Sequence, residues 1–414
     1  MKPLSVRQPA GDGLAGRLRL AFDASALSLT VGAEEELMLV EPVGGGLVGG
    51  IEDVLRRAPT HSRLQAEFRA AQVELATRPC LSAADVGREL AFARVELHEA
   101  LAGELMLVAA GSHPTARDLG PITNGERYRA LAADNPWAAR HMLTCGLHVH
   151  VGLADADRAL AVHNALRSYL PELASLSANS PYHESLRTGL ASTRLMLNRS
   201  LVRHGVPPAF PDWGSYAAFV AWGQAGGSIP DSSYHWWDLR LHPDFGTLEV
   251  RVCDTQTDVA DVVALVALVQ TLVARLAERY DDGETLPVHD GYRIAENVWV
   301  AASAAEKPEL LDLDSGARRP AYERVAELVA ELEPTARELG AAAELARLPG
   351  LAMARGADRQ LRLVREHGVD GLVDWLGRRT VRSAREYAWA HGVALPSGDT
   401  DGRGQASRSV PASA

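Results

Sequence analysis

Four short segments of this chain alternate apolar residues with chargeable ones, and that alternation restricts what the chain can fold into. They are "TVGAEEELMLV" (Thr30–Val40), "QVELA" (Gln72–Ala76), "GLHVHVG" (Gly146–Gly152) and "TLEVRVCD" (Thr247–Asp254). Successive side chains of a strand point to opposite faces. In the first segment Glu34 and Glu36 therefore share a face with Gly32, while Glu35 shares the other with Ala33 and Leu37. Glu74 is opposed by Val73 and Leu75. His148 and His150 stand against Leu147, Val149 and Val151, and Glu249, Arg251 and Cys253 stand against Leu248, Val250 and Val252. One such strand reads as a solvated edge, with its apolar side on a core. Four of them predict a sheet with an apolar back and a charged front.

If the fronts converge, they gather Glu34, Glu36, Glu74 and Glu249 with Glu67, two imidazoles and an arginine. Unpaired carboxylates a few ångströms apart repel by ~4 kcal/mol per pair at an effective dielectric near 20. Two or three divalent cations cancel that cost. Carboxylate oxygens with an imidazole suit Mg²⁺ or Mn²⁺ better than zinc. Mg²⁺ takes most of its remaining ligands from water and phosphate, which points to a nucleotide. An arginine beside the acids then meets a phosphoryl group as a planar, always charged fork.

Other classes are disfavoured. The net charge of −11 speaks against a nucleic-acid-binding surface. Lys2 and Lys307 are the only lysines, in no phosphate-loop or Schiff-base context. Cys80, Cys145 and Cys253 match no zinc or redox spacing, and Cys145 and Cys253 read as small packing residues. The longest apolar run, Val262 to Ala274, is interrupted by Gln270 and Thr271 and suits a buried helix better than a membrane span. A cytoplasmic chain without nucleic-acid or membrane partners is expected, with a homodimer compatible. Strands are expected at Thr30–Val40, Gln72–Thr77, Leu105–Ala110, Gly146–Leu153 and Thr247–Asp254. Helices are expected at Ala83–Gly103, Ala156–Ser177 and Val259–Tyr280, with several more between Tyr322 and Trp389. The fold class is α+β. Residues 1–25 read as a loose lead-in, 26–395 as a single domain with a helical last third, and 396–414 as a tail of disordered composition.

The motifs "GAEEE", "QVELAT", "GLHVHVG" and "GTLEVRVCDT", with "GERYRAL", "LSANSPY", "TGLASTR" and "WWDLR", resemble glutamate–cysteine ligase type 2, a family of carboxylate–amine ligases in the glutamine synthetase-like superfamily. The resemblance runs in order from about Leu29 to Pro320. It implies a curved antiparallel sheet flanked by helices, with the active site on its concave face holding ATP and two or more Mg²⁺ or Mn²⁺ ions. By the same resemblance Glu34, His148 and Glu249 hold one metal, and Glu36, Glu67 and Glu74 the other. Arg251 handles the phosphate. His150 either faces the nucleotide or satisfies a core hydrogen bond. Arg194 and Arg240, and less directly Arg127 and Asn179, are candidates for binding the substrate.

The implied reaction is γ-glutamyl-cysteine-type amide formation through an acyl phosphate, releasing ADP and phosphate. Where the family often shows a glycine and an acid ahead of "TG", this chain has Ser185 and Arg187, which bears on the substrates and not on the metals. Trp236 and Trp237 read as packing residues, and Glu35 has no assigned partner. Two rivals are an inactive relative that only binds an amino acid or nucleotide, and a metal-dependent amidohydrolase built on the "HVH" strand. The second is disfavoured, because HxH opens the barrel in that class and a bridging lysine is commonly needed.

Overall fold

The computed structural model describes residues 13–24, 28–57, 63–227, 229–231, 234–303 and 308–396. Its strands are β1 (Val31–Val40), β2 (Leu64–Ala66), β3 (Gln72–Ala76), β4 (Met106–Val108), β5 (Gly146–Gly152), β6 (Tyr182–His183), β7 (Leu186–Arg187), β8 (Leu239–His242), β9 (Thr247–Asp254), β10 (Glu309–Leu311) and β11 (Arg318–Pro320). One open antiparallel sheet runs in the order β2-β3-β1-β5-β9-β8, with β4 added to the far end of β1. The two remaining pairs, β6–β7 and β10–β11, form small hairpins. An open antiparallel sheet is not the barrel that the amidohydrolase reading requires.

The apolar back is as the alternation predicts. Ala33, Leu37, Val73, Leu75, Leu147, Val149, Leu248 and Val250 are fully buried in one core with the helices Ala83–Ala100, Ala156–Leu166 and Val259–Asp281. The helix Val259–Asp281 is apolar nearly all round and 89% buried along its most apolar stretch, so it is a core helix. The donors of its polar interruptions find acceptors there. Gln270 Nε2 donates to the Leu29 and Leu81 carbonyls, and Thr271 Oγ1 to the Ala267 carbonyl.

Glu35, the acid that alternation aims at the core, meets Arg94 from the helix Ala83–Ala100. Arg94 Nε and Nη2 donate to the two Glu35 oxygens at 2.7 and 2.6 Å, and both side chains are fully buried. The remaining Arg94 donors reach the Thr257 and Gln256 carbonyls at 2.9 and 2.8 Å. The bidentate fork thus ties the middle strand, a back helix and the chain after β9 into one joint.

Three expectations need correction. Residues 14–23, read as part of a loose lead-in, form the helix Leu14–Asp23, which buries Leu18 and Phe22; residues 1–12 and the tail beyond 396 lie outside the described residues. The sheet strands β2 and β8, and the hairpin strands β6, β7, β10 and β11, were not expected. The third correction is one of phase. Leu147 pairs with Cys253 and Val149 with Val250, so Arg251 and Val252 together oppose His148 in a β-bulge. Beyond the bulge the alternation of β9 reverses. Cys253 turns to the apolar back beside Leu147, where burial pushes its thiol up to about 12, and Asp254 takes the front.

Candidate active site

Register explains why the front residues meet. Glu34 lies opposite His148, Glu36 opposite Glu74, His150 opposite Glu249 and Arg240 opposite Glu249. Cross-strand partners share a face, so four neighbouring pairings place acids, imidazoles and arginines in one band. Glu67 joins from the connection between β2 and β3, hydrogen-bonded to Glu74. A cleft of about 520 Å³ opens over this band, and Glu34, Glu36, Glu67, Glu74, His148 and Arg251 line it.

His148 is the hinge of the arrangement. Its Nδ1 lies 3.5 Å from Glu34 and its Nε2 3.8 Å from Glu36. Donor atoms of Glu34, His148 and Glu249 come within 4.8 Å of one another, and so do those of Glu36, Glu74 and His148. A neutral imidazole offers one lone pair, so His148 completes only one of these sets. With His148 on the first, Glu67 is left beside Glu36 and Glu74 on the second. The donor sets fit divalent cations: they are oxygen-rich and largely buried, and the ion pairs of Arg251 and Arg240 go to Glu249.

The electrostatics agree. Burial, then Glu67, push the Glu36 carboxyl up to about 8. Burial and the charges of Glu67, Glu34 and Glu36 raise Glu74 well above the usual carboxylate range, and burial raises Glu67. Burial and the Arg251 charge take His148 down to about 4, leaving a neutral imidazole fit for coordination. Burial also works against ionisation of Glu249, but Arg251 and Arg240 outweigh it and hold the carboxylate well below its ordinary range. Arg240 Nε donates to Glu249 Oε2 at 2.6 Å, and Arg251 Nη1 donates to Oε1.

The expected substrate residues divide. Arg127, Arg194 and Arg240 line the cleft. Arg194 is anchored by bonds to the Val252 and Arg251 carbonyls at 3.2 and 3.0 Å. Its Nη2 crosses Gly146 so closely that a Cβ there would lie 2.3 Å away, and the Gly146 amide donates to Glu36 at 2.6 Å. Asn179 stands apart, fully buried and away from the cleft. Its amide donates to the Thr255 carbonyl and Thr257 Oγ1 and accepts from Gln360, so its polar atoms are committed to chain architecture. His150 does not line the cleft. It accepts or donates at Thr247 Oγ1, 3.0 Å away, and sits 3.6 Å from Glu34 and 3.7 Å from Glu249, which favours the hydrogen-bonding reading.

Sequence reasoning missed several cleft walls, among them His204, His242 and Phe245. His204 stacks on Trp236, itself a wall, so Trp236 is more than filler, whereas Trp237 is buried among Phe210, Phe219 and His235. Phe245 stacks on His242 at 4.2 Å, with 61% of its surface exposed. The "HPDF" turn after β8 carried a signal in its aromatic tip, but nothing in it marked which face the ring would take.

An antiparallel sheet backed by helices, with its acid-rich face under a cleft, is an arrangement whose fold is shared with solved ligases. A solved glutamate–cysteine ligase from Francisella tularensis, in complex with AMP, matches the fold with a TM-score of 0.64 at 13% identity, over 87% of this chain and 93% of that one. A bifunctional glutathione synthetase from Pasteurella multocida matches with a TM-score of 0.56 at 16% identity, over 90% of this chain and 53% of that one. The family model described as glutamate–cysteine ligase family 2 matches residues 30–374, and the chain belongs to that family. Among its relatives, a protein of Rubrobacter xylanophilus is 38% identical over 85% of this chain and 97% of its own. One of Gloeobacter violaceus is 36% identical over 82% and 93%. Both carry provisional names as glutamate–cysteine ligases of type 2.

Proposed function

We propose that this chain joins an amino-acid carboxylate to an amine at the expense of ATP, through an acyl phosphate. The observation that carries the reading is the meeting, on the sheet face under one cleft, of two carboxylate-rich donor sets and Arg251. A carboxylate oxygen attacks the γ-phosphorus and ADP leaves; an amine nitrogen then attacks the acyl carbon and phosphate leaves, taking up the amine proton directly or through water. Arg251 lies 3.4 Å from His148 and is held by Glu249, so its fork is fixed beside the donor sets. Such preorganised charge stabilises the transferring phosphoryl group. Glu34, His148 and Glu249 would hold one Mg²⁺ or Mn²⁺, and Glu36, Glu67 and Glu74 another. When bound, these ions neutralise phosphate charge and polarise the transferring group. His150 orients Glu34 and Glu249. Arg127, Arg194 and Arg240 supply positive charge for the substrate carboxylates. The adenosine nucleotide in the Francisella structure supports a nucleotide in this fold.

Glutamate with cysteine is the pair that the family name suggests. Incubation with ATP, Mg²⁺, glutamate and cysteine should release ADP and phosphate in equal amounts, read by ion-exchange chromatography. AMP with pyrophosphate would overturn the acyl-phosphate scheme. No turnover across a panel of amino acids and amines would favour the inactive relative.

Arg251→Lys should lower kcat/KM by about 10²–10³, because a point charge cannot reproduce a planar fork aimed at a transition state. Near wild-type kinetics in this variant would remove Arg251 from the phosphate.

A further inference from the structure

A second hollow, of about 650 Å³, lies on the other side of the segment 203–209, and His204 borders both it and the cleft. Arg167 forms part of its wall. This arginine is only 2% exposed and comes from the short turn Arg167–Tyr169 that follows the helix Ala156–Leu166. Its Nε donates to the Pro207 carbonyl at 2.7 Å and its Nη1 to the His289 carbonyl at 3.3 Å. Among the described residues Nη2 donates to nothing, and no carboxylate forms an ion pair with the guanidinium. Asp290 acts on it only through space, from an exposed position.

Arg69 shows how this fold treats a buried arginine of purely structural role. Its Nε, Nη1 and Nη2 all donate to carbonyls, those of Met142, Gly120 and Ala139. Arg167 instead leaves one donor without an acceptor, facing a cavity. A buried charge ordinarily finds a counter-charge.

The surroundings of Nη2 are shaped to receive one. The helix Gly291–Ala302 begins beside it, and Asp290 at its start makes no side-chain cap. Arg293 and Ile294 amides bond back to the Asp290 carbonyl, while the Gly291 and Tyr292 amides have no hydrogen bond among the described residues. Free amides and the positive end of the helix dipole favour an anion there. Gly291 keeps the approach open: a Cβ at that position would lie 3.3 Å from Arg167 Nη2. Exposed Arg199 adds positive charge at the rim.

We propose that this hollow binds a small oxyanion, a carboxylate or a phosphate, between Arg167 Nη2 and the first amides of the helix Gly291–Ala302. The site is separate from the ligase cleft and shares only the wall at His204. Its occupant bonds to the same arginine that holds the Pro207 and His289 carbonyls, so it braces the segment 203–209 from behind.

The test is calorimetric titration of the full chain with inorganic phosphate, and separately with acetate. Three variants are compared with wild type. Gly291→Asp places a carboxylate against Arg167, in a first helical turn where an acid is favourable, so the fold should persist with an unchanged or higher Tm. Phosphate affinity should fall at least tenfold in this variant. Arg167→Gln should also lose the affinity, and Gly291→Asp decides the matter if that variant misfolds. Arg251→Gln, in the cleft, should change it less than twofold. Saturable binding of either anion that is lost in Gly291→Asp and kept in Arg251→Gln supports the site. Binding lost in Arg251→Gln and kept in Gly291→Asp overturns it, as does the absence of saturation by either anion up to ~50 mM, a dissociation constant equivalent to about 1.8 kcal/mol.

Discussion

Glu74→Gln is expected to lower ATP turnover by about 10³, the equivalent of ~4 kcal/mol of transition-state stabilisation, while the metal-free protein melts no earlier than wild type. The two halves of this expectation have one cause. Glu74 is buried beside Glu67, Glu34 and Glu36, all of which disfavour its charge. A neutral amide of the same shape relieves that repulsion and removes the oxygen charge on which a cation depends. Coupled measurement of ADP release and thermal melting without added metal checks both. Turnover near wild type would sink the assignment of Glu74 to the metal site. A melting temperature lowered by many degrees would show that the acids are not in unrelieved repulsion.

The joint behind the sheet should respond in the opposite way. Arg94→Met leaves Glu35 charged, fully buried and without its fork, and removal of one partner from such a pair typically costs 3–5 kcal/mol. Denaturant unfolding should show a loss of about that size. The double variant Glu35→Leu/Arg94→Met should regain much of it, since apolar isosteres avoid desolvating two charges. A loss below ~1 kcal/mol in the single variant would mean that solvent reaches Glu35 and that the pair is a surface bridge in effect.

Most of the site was legible because strand alternation is a strict geometric rule, and the apolar partners of each acid are unambiguous. Glu34, Glu36, Glu74, His148 and Glu249 occupy the face that the rule predicts, and β9 ends at the residues expected. Glu67 sits in a connection, where alternation says nothing, and only the family resemblance gave it a role among the metal ligands. Arg94 could not be paired with Glu35 from sequence, because 59 residues of chain separate them and only the helix–sheet contact brings them together. Asn179 was misread for a related reason. A motif position shows that a residue matters, but not whether its amide faces a cleft or the Thr255 carbonyl and Thr257 hydroxyl. The helix Leu14–Asp23 was missed because its glycine- and polar-rich approach hid a short amphipathic stretch whose partner face, around Trp213, lies far along the chain.

The bulge at Arg251 and Val252 gives β9 two parities. Before it, odd-numbered residues take the charged face, as Glu249 does, and even-numbered ones serve the core. After it the assignment is exchanged: Asp254 accepts bonds from the Asn179 amide and the Ser180 and Ser192 hydroxyls on the front, and Cys253 belongs to the core. A single strand can therefore hold the acid that orders Arg251 and the acid that ties down the chain around Asn179. Tolerance to substitution should change sign with parity within eight residues. Deletion of one residue at the bulge would bring the two halves into step, and would leave one of those acids facing the core with no cation or hydroxyl to meet it.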